Sequence, residues 1–171
     1  MEWAPEEYTR YYIVQALFRL MNEYEYDRIS VTDITGKAGV GRATFYRYFK
    51  RKEDIIIYYF ERIKNNFVFS QHIYPRCRED YVKLVKEILY LFKENKQYLR
   101  LLRKAKLDGI YLDYLNKRFV EKFQSEFSDK SEYMPYIYSG MLFNLSMKWL
   151  DDDCRQDMTE LAELVVDAIY K

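Results

Sequence analysis

Apolar residues recur at spacings of three and four along most of the chain, the period of a helix with one buried face. The first run covers residues 6–24, with Tyr12, Ile13, Ala16, Leu17, Leu20 and Met21 on one stripe, and Asp27 and Arg28 interrupt it. Ser30 and Asp33 have the spacing of a capping box, in which the hydroxyl accepts from the Asp33 amide and the carboxylate reaches back to the Ser30 amide. A short helix is expected from Val31 to Ala38, ended by Gly39, the residue type that most readily takes a left-handed conformation. Gly41 can cap a second short helix from Arg42 to about Phe49. Two helices joined by so tight a turn form a helix-turn-helix.

The next helix runs from Arg51 or Lys52 to about Asn66, and Ile55, Ile56, Ile57, Tyr58, Tyr59, Phe60 and Ile63 make it apolar on more than one face. It is therefore expected to lie between two cores. The segment Ser70 to Arg78, with Pro75, reads as a boundary. Further helices are expected over 79–95, 96–107, 110–127, about 133–150 and 157–170, the last two joined by Asp151, Asp152 and Asp153. The fold class is all-α with about nine helices: a helix-turn-helix unit over 1–50, a connecting helix over 51–69, and a helical domain over 70–171.

Composition agrees, since 5 Gly and 3 Pro in 171 residues are too few breakers for an all-β fold, and 49% hydrophobic residues are too many for disorder. Cys77 and Cys154 fit no disulfide framework and supply too few thiols for a zinc site. They read as packing or bystander thiols in a reducing compartment. His72 is the single histidine and reads as a surface or boundary imidazole, so neither a metal cluster nor a catalytic dyad or triad has an obvious second member. No enzyme activity, metal or cofactor is expected. The acidic start of the chain has no basic region ahead of an apolar one, and no stretch approaches 18 uninterrupted apolar residues. A cytoplasmic protein with no membrane contact is the expectation.

Net charge is only +1, so local charge decides. Gly36 to Lys52 carries Lys37, Arg42, Arg47, Lys50, Arg51 and Lys52 with no acid, whereas residues 151–171 carry seven acids against Arg155 and Lys171. An acid-free basic stretch on a helix-turn-helix suits phosphate neutralisation, in which each cation placed on a phosphate releases condensed counterions. The plainer alternative is a solvated basic face without a partner.

The run Ser30-Val31-Thr32-Asp33-Ile34, continuing from Lys37 through Gly39, Arg42, Thr44, Phe45, Tyr46, Tyr48, Phe49 and Lys52 to Ile55, resembles the TetR family of bacterial transcription regulators. The resemblance covers about the first 60 residues. It implies an all-helical homodimer whose N-terminal helices bind a palindromic operator in double-stranded DNA, with a larger domain that dimerises and takes a small effector. By this resemblance Arg42, Ala43, Thr44, Tyr46 and Tyr48 lie on the reading face, with Arg42 the candidate for a guanine edge. Lys52, with the free amides around it, would form a phosphate clamp. Thr32 on the preceding helix, with Lys37, Arg47, Lys50 and Arg51, completes the DNA-binding set. Phe45 and Phe49 are expected to face inward with Ile34, Ala38 and Val40. Three positions depart from the family pattern: Gly41 where a serine is usual, Arg51 where a small polar residue is common, and Glu25 in place of a glycine.

Nineteen tyrosines exceed what a core of this size needs. One reading is a pocket for an aromatic or lipophilic effector, lined by Tyr81, Phe92, Tyr98, Tyr111, Tyr114, Phe119, Tyr138 and Phe143. The other is compositional, an A+T-rich genome enriching Tyr, Ile, Lys and Asn together. The last two helices carry wide apolar stripes, among them Met141, Leu145, Trp149, Leu161, Leu164, Val165 and Ala168, suited to a four-helix dimer interface. The leading expectation is a repressor released by its effector. A co-regulator acting by protein contact and a DNA-binding scaffold without effector remain as alternatives.

Overall fold

A computed structural model describes residues 5–65, 77–126 and 131–169. Among them it contains no strand, and its helices are α1 (Pro5–Glu23), α2 (Val31–Ala38), α3 (Arg42–Tyr48), α4 (Lys52–Asn65), α5 (Arg78–Glu94), α6 (Lys96–Lys104), α7 (Asp108–Glu126), α8 (Met134–Asp151) and α9 (Met158–Ile169). The all-α expectation holds, and the helix ends fall close to those the periodicity predicts. Where Asp27 and Arg28 break the first stripe, a 3-10 turn covers Tyr26–Arg28. Residues 66–76 lie outside the described residues, and with them His72 and most of the expected boundary segment.

The capping box forms: Asp33 N donates to Ser30 Oγ at 3.2 Å, and Ser30 N donates to Asp33 Oδ2 at 2.8 Å. The Ser30 hydroxyl, donating to Asp33 Oδ2 at 2.6 Å, and then the Ser30 amide hold the Asp33 carboxyl below its ordinary range. Gly39 ends α2 at φ 69°, in the left-handed region, and its amide returns to carbonyls of the last turn. Val40 N donates to Thr35 O at 3.0 Å and closes the turn.

Ile34, Phe45 and Phe49 are buried beneath the two short helices, with Ala38 and Val40 packed at the edge. Ile13, Leu17 and Phe18 of α1 meet Ile55, Ile56 and Phe60 of α4 in the same core, which continues without a break through Leu89, Leu102, Trp149 and Val166. The apolar residues on several faces of α4 are thus explained, because α4 packs on α1 and on α7. In the C-terminal half, α5 lies along α9 and α7 along α8. α6 bridges the halves, its Tyr98 ring 4.6 Å from Phe18 of α1 and 5.2 Å from Tyr59 of α4.

Candidate nucleic-acid interface

The outward side of the helix-turn-helix is built by what lies beneath it. Burial of Phe45 and Phe49 fixes the rotation of α3, so that Arg42, Ala43, Tyr46 and Arg47 are exposed and Thr44 and Tyr48 are half-buried at its flanks. Arg42, Arg47 and the exposed Lys50 have no carboxylate partner among the described residues. The other cations of the stretch are engaged. Lys37 Nζ lies 3.6 Å from Glu23, across the start of the unit, and the Arg51 guanidinium lies 3.7 Å from Asp54 within α4. Thr32 is exposed on the first turn of α2. Gly41 caps α3 in an extended conformation without a side-chain hydrogen bond.

Lys52, the residue expected to form a phosphate clamp, is half-buried and engaged within the protein. Its ammonium donates to the carbonyls of Tyr26 at 2.9 Å and Ile29 at 2.8 Å, and it sits 4.2 Å from the centre of the Tyr26 ring. The amides of Lys50 and Arg51 both donate to Asp54 Oδ2 at 2.9 Å. The 3-10 turn leaves the Ile29 carbonyl outside any regular helix, and the long side chain of Lys52 donates to it while adding a second donor to Tyr26 O, which also accepts from Ile29 N at 3.1 Å. Tyr26 in turn donates its hydroxyl to Glu53 at 2.9 Å, and burial and that carboxylate together push its phenol well above the usual range. Tyr26 was not among the sequence candidates; it is one of two tyrosines, with Tyr24, in an otherwise polar break, and only its burial sets it apart.

The eight expected pocket residues fall into separate groups. Phe92, Tyr111, Tyr114 and Phe143 form one aromatic cluster with Phe60 and Trp149, at ring separations of 5.1 Å for Phe60–Tyr111, 5.4 Å for Phe60–Tyr114 and 6.4 Å for Phe92–Trp149. Tyr98 belongs to the α1–α4–α6 contact, Phe119 and Tyr138 stack at 6.2 Å at the far end of α7 and α8, and Tyr81 is half-buried on α5. Within the first cluster Ser146 is fully buried beside Tyr111, and its hydroxyl finds no hydrogen bond of good geometry among the described residues.

The apolar stripes of α8 and α9 are also divided. Trp149, Leu161 and Val165 are consumed in the chain's own core, the indole donating to Gln156 O at 3.1 Å. Met141 and Leu145 are half-buried, while Leu164 and Ala168 face outward. Tyr133, Tyr136 and Ile137, which the sequence reading did not select, are more than half exposed at the start of α8. Cys77 is exposed and Cys154 buried, both as free thiols. Among the described residues no group of three or more His, Cys, Asp or Glu side chains could hold a metal ion, and no helix is long and apolar enough to cross a membrane.

A capped α2, a left-handed glycine and a short α3 rotated by a buried phenylalanine, with an acid-free outer face, together define a helix-turn-helix unit. Residues 13–59 match the family model described as bacterial regulatory proteins, tetR family. The match covers this N-terminal unit alone. It is 30% identical over 98 residues to the HTH-type transcriptional regulator SAB2452 of Staphylococcus aureus, a match covering 53% of this chain and 51% of that protein. The chain thus spans about half the length of this relative. The fold is similar to that of Lin0861 from Listeria innocua, with a TM-score of 0.80, 21% identity, and 98% of this chain and 93% of that one covered. A Syntrophomonas wolfei protein assigned to the TetR family follows at 0.68, with 18% identity over 95% and 93% of the two chains.

Proposed function

We propose that the chain is a DNA-binding transcription regulator, a homodimer that reads a palindromic operator and acts as a repressor released by an aromatic or lipophilic small molecule. The observation that carries this reading is the outer face of α3, where Arg42, Arg47 and Lys50 stand exposed without carboxylate partners beside the exposed Tyr46. Unpaired cations there keep their full charge for phosphates, and Arg42 at the start of the helix can present a guanidinium to a guanine edge. The match of residues 13–59 to the tetR family model supports the same conclusion. A co-regulator working by protein contact alone would have no use for this arrangement.

Support for the finer parts comes from the C-terminal half. The exposed Tyr133, Tyr136 and Ile137 of α8 and Leu164 of α9 supply apolar surface for a second copy, and pairing there would fix the spacing of two reading heads. The Phe60–Tyr111–Phe143 cluster with the unpartnered Ser146 hydroxyl supplies ring surface and one polar handle for an effector. The test is selection of bound fragments from random duplex DNA. A two-fold symmetric consensus is expected, with half-site centres about 34–36 Å apart or a multiple of that distance. A consensus with one half-site would remove the dimer from the proposal, and absence of enrichment would remove DNA binding.

A further inference from the structure

We infer that Arg10 of α1, together with the hydroxyls of Tyr48 and Tyr58, forms a seat for a backbone phosphate of duplex DNA beside the reading helix. The inference rests on the DNA-binding reading above. Its basis is one unusual arginine. The Arg10 guanidinium lies 4.8 Å from the centre of the Tyr48 ring and 5.6 Å from that of Tyr58, bringing the first helix to the last residue of α3. It is half-buried, yet no carboxylate pairs with it among the described residues. Glu7, one turn earlier and the natural i,i+3 partner, is instead drawn across to Arg62 of α4 at 2.7 Å.

A guanidinium stacked on aromatic faces spends its flat surface on the rings and keeps its N–H edge free. Its side chain is already ordered, so that donating to a phosphate costs little further entropy. The Tyr48 and Tyr58 hydroxyls likewise make no hydrogen bond within the described residues. The guanidinium and the two tyrosines under it therefore lie together with no internal acceptor for their donors among the described residues, close in sequence to the exposed Arg47 and Lys50. A phosphate oxygen accepting the Tyr48 hydroxyl at about 2.7 Å would lie close to the guanidinium over that ring. A structural role alone, tying α1 to α4, would account for the stacking. It would not account for the diversion of Glu7 or for the two idle hydroxyls.

The experiment measures affinity against potassium chloride concentration by fluorescence anisotropy, using a selected operator duplex and a random one, for the wild-type chain and for Arg10→Ala, Arg10→Gln and Arg10→Lys. Circular dichroism melts accompany each protein. Arg10→Gln keeps a planar group over the rings and loses the charge, so it decides the matter even where Arg10→Ala does not fold. Loss of one phosphate contact flattens the slope of log affinity on log salt by about 0.9. That change is expected for Arg10→Gln on both duplexes alike, with the wild-type slope retained by Arg10→Lys. A wild-type slope and affinity in Arg10→Gln would reduce Arg10 to packing and overturn the inference. A wild-type chain that ignored every duplex would overturn the DNA reading as well, a result distinguishable from the first.

Discussion

The two halves of the molecule use the same cations in opposite ways. In the C-terminal half four basic residues are spent on acids far away in the chain: Arg78 on Asp167 at 2.5 Å, Arg100 and Lys96 on Asp153 at 2.5 and 3.2 Å, and Arg103 on Asp151 at 2.8 Å. Around α3, Arg42, Arg47 and Lys50 have no such partner. The acidic connector that makes the end of the chain look negative is thus largely answered by α6, whereas half of the basic stretch near the start, Arg42, Arg47 and Lys50, is left unanswered among the described residues. In a chain of net charge +1, the positive field of the head comes from where acids are withheld and not from a surplus of cations.

The largest effect that would break this comparison lies in the two cores. Phe45 is fully buried and sets the rotation of α3, and Trp149 is buried against Phe92 in the other half. Truncation of either to alanine is expected to cost about 3–5 kcal/mol. The two differ in consequence. Phe45→Ala is expected to abolish DNA binding at temperatures where most helical circular dichroism survives, while Trp149→Ala lowers the melting temperature and leaves binding intact below it. Equal loss of binding in both would mean that the head has no separate hold on its own geometry.

How much of this was legible in the sequence follows the same division. Head positions could be read singly, because Ser30, Gly39 and Phe45 each allow few local conformations at their spacing, and seven- and eight-residue helices leave no freedom of register. In the C-terminal half the helices were legible, but their faces were not. Trp149, Leu161 and Val165 carry the same periodic signal as Leu164, and only the packing of α5 on α9, and of Phe92 of α5 on Trp149 of α8, decides which are spent internally. The α6 cations could not be matched to Asp151 and Asp153 across some 50 residues of chain, since no local rule links them. Lys52 shows the same limit inside the head. Its position was readable, but its engagement with Tyr26 and Ile29 depends on how the 3-10 turn folds back.

That engagement predicts the next effect in size. Lys52→Ala removes two charge-assisted hydrogen bonds and leaves the Ile29 carbonyl short of a donor, while Tyr26 O keeps the Ile29 amide, a change expected to cost about 1.5–3 kcal/mol. The fraction that still folds should bind DNA with the wild-type salt slope; a slope flattened by about one unit would put the ammonium on a phosphate instead. Arg42→Ala should act the other way. No change in the melt is expected, but a loss of about 1–3 kcal/mol in operator affinity confined to one base position. Equal losses on operator and random duplexes would make Arg42 a backbone contact.

A smaller effect sharpens the electrostatic side. Asp153 is held in a left-handed conformation at φ 59°, followed by Cys154 at φ 54°, and hydrogen bonds from Arg100 and then Lys96 keep its carboxyl below the ordinary range. The ion pairs therefore stabilise the fold fully above the unfolded carboxylate value, about 3.9, and fade as pH falls through the lower folded one. Asp153→Asn should melt below wild type at pH 7, and the gap should close as the solution is acidified below about pH 4. A gap unchanged by pH would assign the loss to the turn's backbone and not to charge.

The smallest effect separates two glycines of one turn. Gly39 lies at φ 69°, where any Cβ is strained, but Gly41 caps α3 at φ −76° and ψ 154°, which serine adopts freely, and a Cβ there would meet only Thr44 Oγ1 at 4.0 Å. In Gly41→Ser the hydroxyl can accept the Thr44 amide, a cap worth a few tenths of a kcal/mol over glycine. A rise in melting temperature of about 1 °C is expected. Binding should strengthen slightly and equally on all duplexes, since a hydroxyl at this helix end points at backbone phosphates and not at bases. If the serine protein instead melted lower, the entry to α3 would be tighter than its free space indicates, and the departure from the family's usual serine would be a requirement of this fold.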